Sequence, residues 1–173
     1  LALSSWQSRL RMLEGMIEAV WLAFGFIPVR YPKMLVLEMG ADKPGDIGRL
    51  VELAKPSIAV VTAVGDIPVH VEHYPDTDAV TAEKSKILKY ATPPMGISIL
   101  NHDDPRVAGM ESIAPGHVMT YGFSSHAQVW AADPAFFLSE DQRYIEGLTF
   151  TVHHGQSRQK YRVPHLFGIH QIS

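Results

Sequence analysis

Three short apolar runs, Met34 to Met39, Ile58 to Val64 and Ile97 to Leu100, alternate with stretches of helical periodicity at 46–55 and 78–90. This alternation narrows the possible folds more than any other feature, because strands that alternate with helices build βαβ units around a parallel sheet. Strands that are apolar almost throughout are expected where helices cover both faces of such a sheet. From about His117 the texture changes. Val118 to Phe123, Ala127 to Ala132, Leu148 to His153 and Lys160 to Val163 are short strand candidates, the last two flanking a polar turn at His154 to Gln159. They predict an antiparallel extension at 116–170 after a βαβ part at 1–115. The expected class is therefore α/β, a mostly parallel sheet with flanking helices plus a small antiparallel β extension.

A length of 173 residues suits one domain with a real core, and a formal charge of −3 with scattered positive residues leaves no basic footprint for nucleic acid. Cysteine is absent, which removes disulfides, a thiolate nucleophile and a zinc–thiolate site, and suits a reducing cytoplasm. Trp6, Leu10, Leu13, Ile17, Val20 and Phe24 recur at helical spacing, with Ser4 or Ser5 as N-cap and Gly25 and Pro28 as stop signals, so a long amphipathic helix is expected first. The apolar stretch from Met16 to Val29 is interrupted by Glu18 and falls short of the roughly 20 residues that span a bilayer, so no transmembrane segment is expected. Arg9, Arg11 and Glu14 break the start of any signal peptide. The first residue is Leu1 rather than methionine, and the chain is expected to be a piece of a longer protein.

Chemistry should gather where apolar strands end, since ligands of open α/β sheets sit beyond the carboxyl ends of the strands. Glu38 closes the first run in V-L-E-M-G-A-D-K-P-G-D and is a candidate ligand for a metal that carries phosphates. In the loop that follows the second run, His70, Glu72 and His73 cluster, and imidazole and carboxylate are ordinary ligands of divalent ions. Val80, Lys84, Ile87 and Leu88 fall at i, i+4, i+7 and i+8, which puts Lys84 on the inward face of its helix. Such a lysine either packs its stem and sends its amine to water, or carries a lowered pKa and serves modification or catalysis. Gly40 and Gly45 have the glycine spacing of a phosphate loop, but Asp46 stands where its lysine belongs. No G-x-S-x-G nucleophile elbow is present, and His153 and His154 fall in a hairpin turn with structural or solvent-facing roles.

Taken in order, L-V-L-E-M-G-A-D-K-P-G-D-I, V-V-T-A-V, V-H-V-E, A-E-K-S-K-I-L, I-L-N-H-D-D-P, T-Y-G-F and F-G-I-H resemble the central, ATP-binding domain of the Mur ligases over about Met34 to His170. The resemblance is strongest to the member that joins D-alanyl-D-alanine to UDP-N-acetylmuramoyl (UDP-MurNAc) tripeptide in peptidoglycan precursor synthesis. It implies an ATP-dependent carbon–nitrogen ligase working through an acyl phosphate, with ATP and Mg2+ as cofactors and a cytoplasmic location. Glu38 matches the family's magnesium-binding glutamate, and His70, or His73 beside it, the histidine of a second magnesium. Lys84 matches a lysine that is carbamylated in many members and so able to bind a metal, and His170 matches the histidine of a G-x-H-N segment near the adenine. Gln171 stands where that segment usually has asparagine. Asn101, Asp103 and Asp104 match a recurring segment that should end a strand and cap a short helix. The family's phosphate-loop strand, its substrate-binding N-terminal domain and its C-terminal domain have no counterpart here, so the fragment alone is expected to be inactive. The alternatives are a relative with another acceptor, of MurE-like, folylpolyglutamate or cyanophycin type, or a non-catalytic binding domain without the phosphate loop.

Overall fold

The computed structural model describes residues 33–64 and 73–168. The chain divides into two units, Leu1–Glu38 and Met39–Ser173, and each is taken by itself. Of the first unit only 33–38 falls among the described residues, so the amphipathic helix expected at 4–24 lies outside them. The strand expected at Met34 to Met39 does not form. Met34, Leu35, Val36 and Leu37 are 74%, 71%, 85% and 53% exposed. Apolar residues with β preference become a strand only where a neighbour completes the ladder and buries them, and among the described residues this run has no such neighbour.

The second unit opens with helix α1, Asp46–Ala54, followed by β1, Ile58–Val61. Helix α2, Thr77–Ser85, continues as a 3-10 turn, Lys86–Tyr90, and leads to β2, Ile97–Asn101. Helix α3, Pro105–Gly109, likewise ends in a 3-10 turn, Met110–Ile113, before β3, His117–Gly122. Strands β4, Val129–Leu138, β5, Ile145–His154, and β6, Ser157–Pro164, complete the described elements. The strand order is β1-β2-β3-β4-β5-β6. The first three pairings are parallel and the last two antiparallel, which is the α/β class expected.

One boundary differs from expectation. β3 pairs in parallel along its whole inner side with β2, so the antiparallel part begins at β4 rather than at residue 116. Parallel neighbours ordinarily need a long crossover, yet residues 123–128 suffice between β3 and β4. They suffice because the two strands overlap only at Tyr121↔Val129 and Gly122↔Trp130, so the chain never returns to the start of β3. Within β4 the ladder to β5 shifts register between Ala132 and Ala135, where Asp133 takes a positive φ of 52° and Pro134 has no N–H to donate. On either side of this bulge side chains interlock across strands. Trp130 stacks on its register partner His153, with 3.9 Å between rings, and Arg162 lies over Phe137.

Alternate residues of β1, Ala59 and Val61, and Leu100 of β2 are buried under Val80, Leu88, Val107 and Met110 of the helical layer. The wheel drawn from the sequence thus places Val80 and Leu88 correctly, but it overlooks Glu83, which sits three residues after Val80 and is only 3% exposed. Its carboxylate closes a gap in the backbone. Gly45, the residue before α1, holds φ at +94°, which favours glycine, and has no side chain to cap the helix. Glu83 reaches across from α2 instead, and its Oε1 accepts from the N–H groups of Ile47 at 3.0 Å and Gly48 at 3.4 Å. Its other oxygen meets Lys86 Nζ at 2.5 Å. Burial alone would raise the proton affinity of this group, but the Lys86 bond and the N–H donors outweigh it and hold the carboxyl below its ordinary 4.5.

Because that value is depressed, the stability Glu83 contributes is complete above about pH 4.5 and is lost as the pH falls through the folded value. Glu83→Gln is expected to cost about 1–3 kcal/mol at neutral pH, read from urea unfolding. The gap to the parent should shrink in acid, and an equal gap at both pH values would contradict a charge-based cap.

Candidate active site

The carboxyl ends of β1, β2 and β3 are joined by one short run of chain, Asn101 to Asp104. Asn101, the last residue of β2, is buried, and its Nδ2 donates to the Thr62 carbonyl just beyond β1 at 2.8 Å. Its Oδ1 accepts from the N–H of Asp103 at 2.9 Å, which turns the chain sharply away from the sheet. Asp103 then faces β3. Its two oxygens accept from the N–H groups of Phe123 at 2.6 Å and Ser124 at 3.1 Å. Asp104 faces both ways: Oδ1 caps α3 by accepting from Arg106 and Val107, and Oδ2 accepts from the Val64 N–H at 2.7 Å. The cap expected of this segment is present, and three links between strand ends come with it.

Lys84 is brought to the same place. It is half-buried on α2, and its Nζ donates to the carbonyl of Ala63 at 2.5 Å. Loss of water around the amine lowers its proton affinity from the ordinary 10.5, and the negative charge of Asp104 partly restores it. The inward reading of Lys84 therefore holds, with its amine turned to a backbone carbonyl at a strand end rather than out to solvent.

The other expected site residues fare differently. Glu38 is exposed and does not close a strand, because the run before it forms none. It belongs to the first unit and Lys84 to the second. His70 and His170 lie outside the described residues, and His73 is exposed. Among the described residues no group of three or more histidines and carboxylates gathers to hold a metal. Sequence reasoning missed Glu83, although its spacing from Val80 was the available signal.

Two hollows lie elsewhere in this unit. One of about 610 Å³ runs between α1 and the 3-10 turn after α2, lined by Gly45, Gly48, Arg49, Glu52, Lys86 and Lys89. Its cations already face carboxylates, Arg49 with Asp46, Lys86 with Glu83 and Lys89 with Glu52, so the groove is neutralised from within. A smaller one of about 200 Å³ lies beside Tyr121, Phe150, Val152 and Leu166. Burial, and then the charge of Asp103, raise the proton affinity of the Tyr121 hydroxyl, which keeps it neutral.

A family model described as the Mur ligase middle domain matches residues 24–173. The UDP-N-acetylmuramoyl-tripeptide--D-alanyl-D-alanine ligases of Mycobacterium bovis and Mycobacterium tuberculosis are 32% identical to the chain over 139 residues. Those residues are 80% of this chain and 25% of either relative, so the chain spans about a quarter of their length. Among solved structures, MurF from Acinetobacter baumannii superposes with a TM-score of 0.65 at 22% identity, covering 79% of this chain and 27% of that one. A pseudomurein peptide ligase type C from Methanothermus fervidus gives a TM-score of 0.55 at 14% identity, covering 79% and 33%. These likenesses show the fold.

The packing at the strand ends leaves no room at Gly122, where an added Cβ would stand 2.6 Å from Asp103 Oδ2. Gly122→Ala is expected to push Asp103 off the Phe123 and Ser124 N–H groups and to lower stability by about 1–3 kcal/mol in thermal or urea unfolding. An unchanged unfolding midpoint would show that the Asp103 links carry no weight.

Proposed function

The chain belongs to the Mur ligase family through its middle domain, and from that premise we propose that it is part of an ATP-dependent ligase that joins D-alanyl-D-alanine to UDP-MurNAc-tripeptide. The observation that carries this reading is the 32% identity, along 80% of the chain, to relatives bearing the name of that ligase. Residues 1–173 are read as part of the middle domain, in a protein whose remaining length supplies the phosphate loop and the substrate-binding surfaces. The cytoplasm is the compartment in this reading, which the lack of cysteine suits. Among the described residues no helix is long and apolar enough to cross a membrane.

The reaction moves the γ-phosphoryl group of ATP onto the terminal carboxylate of the tripeptide, releasing ADP. The amine of the dipeptide then attacks that carbonyl, forms the amide and expels inorganic phosphate, while the amine gives up a proton. Phosphoryl transfer of this kind depends on placed positive charge more than on covalent help from the protein. Lys84 fits such a site as a holder of that charge: its half-buried amine is tied to one carbonyl, and once carbamylated it would carry the negative charge that binds a metal ion. The burial that favours its neutral form also suits the carbamate found in many family members. Glu38, as an exposed carboxylate, fits Mg2+, which prefers oxygen donors and usually takes only one or two of them from protein. When bound, that ion supplies charge to the phosphates. In the same reading His70 is also a metal ligand and His170 serves the adenine end.

The test is phosphate release by the full-length protein with ATP, UDP-MurNAc-tripeptide and D-alanyl-D-alanine. Lys84→Ala is expected to lower kcat by about 100-fold or more. Full turnover in that variant would remove Lys84 from the mechanism, and preference for a single amino acid over the dipeptide would overturn the acceptor assigned.

A further inference from the structure

Three consecutive residues beyond β1 are gripped by three side chains from three different elements. Asn101, at the end of β2, holds the Thr62 carbonyl at 2.8 Å. Lys84, on α2, holds the Ala63 carbonyl at 2.5 Å. Asp104, at the start of α3, holds the Val64 N–H at 2.7 Å. The middle grip involves the residue assigned to chemistry, and the outer two fix the peptide units on either side of it. A carbonyl whose neighbours are both tied cannot rotate, so it presents one direction to an amine.

We propose that Asn101 and Asp104 are positioning residues for Lys84: by clamping Thr62 and Val64 they hold the Ala63 carbonyl where it fixes the Lys84 amine in a single place. Asp104 has a second effect on the same group, since its charge lies near the amine. The inference rests on the reading that Lys84 acts in the ligase site, but the clamp itself is a matter of backbone geometry. Pinning a catalytic group in this way matters because small misplacements of reacting groups lower rates steeply.

The chemistry of Asp104 allows the clamp to be opened without removing the cap. Asp104→Asn keeps Oδ1 for the Arg106 and Val107 N–H groups, since asparagine caps helices as well as aspartate does. It replaces Oδ2 by an NH2 group, which cannot accept from Val64. Asp104→Ser also caps, but is too short to span to Val64, and gives a second variant should the first fold poorly.

Both variants, made in the full-length protein, are expected to lower kcat about ten-fold with less than about a two-fold change in the KM for ATP. In a Lys84→Ala background the same changes should have no further effect on kcat, because the clamp works through that amine. Equal losses in both backgrounds would mean a merely structural role and overturn the proposal. Amide hydrogen exchange gives a reading independent of turnover: Val64 should exchange about ten-fold faster in Asp104→Asn, while Val107 stays protected. Unchanged exchange at Val64 would overturn the clamp itself. If Lys84→Ala keeps full turnover while Val64 still responds to Asp104→Asn, the clamp stands and the catalytic reading of Lys84 falls.

Discussion

Beyond the last ladder bond of a parallel sheet the strands have nothing of their own to keep them in register, and here that task falls to the side chains of Asn101, Asp103 and Asp104. Together they satisfy backbone groups on three neighbours: Asn101 and Asp104 the Thr62 carbonyl and Val64 N–H after β1, Asp103 the Phe123 and Ser124 N–H groups after β3, and Asp104 also the first turn of α3. Backbone polar groups that lose water without gaining partners are costly, so this short run lets three strand ends come together without that penalty. Where Lys84 rests follows from the same frame, because its partner Ala63 lies between two tied residues.

The helical layer is set by a different device. α1 begins at a glycine that cannot cap it, and the missing acceptor comes from Glu83 on the adjacent helix. One carboxylate thereby fixes the start of α1 against the last turn of α2, the turn that also carries Lys84. The two neighbouring residues have opposite duties. Glu83 is spent on architecture, whereas the amine of Lys84 is held at the strand ends where substrates of α/β proteins gather.

The strands from β1 onward and the helices between them were legible in the sequence because periodicity is a local property, and Ile97 to Leu100 or 78–90 announce themselves without reference to the rest of the chain. Met34 to Met39 misled for the converse reason. Its pattern is that of a buried strand, but strand formation needs a partner that sequence alone does not supply, and in the structure those side chains are exposed. The parallel pairing of β3 was hidden likewise, since a strand's direction relative to its neighbour is not written in its own residues. At the site, the inward lysine could be read from a wheel and the cap at Asp104 from its type. The grip of Asn101 on Thr62 joins residues 39 apart in the chain and could not be read at all.

The strand order matters for more than geometry. Each strand of the sheet lies beside the one made just before it, from β1 to β6, with no later strand inserted between earlier ones. A chain laid out in this way can extend its sheet at one edge, closing only the loop that separates neighbours, and never has to reopen a finished pairing. The hairpins β4–β5 and β5–β6 close short loops, whereas β1 and β2 are joined only by the long crossover through α2. The strand ends that hold Lys84 are therefore brought together across the longest connection within the described sheet, and the amine has its place only where that connection is closed.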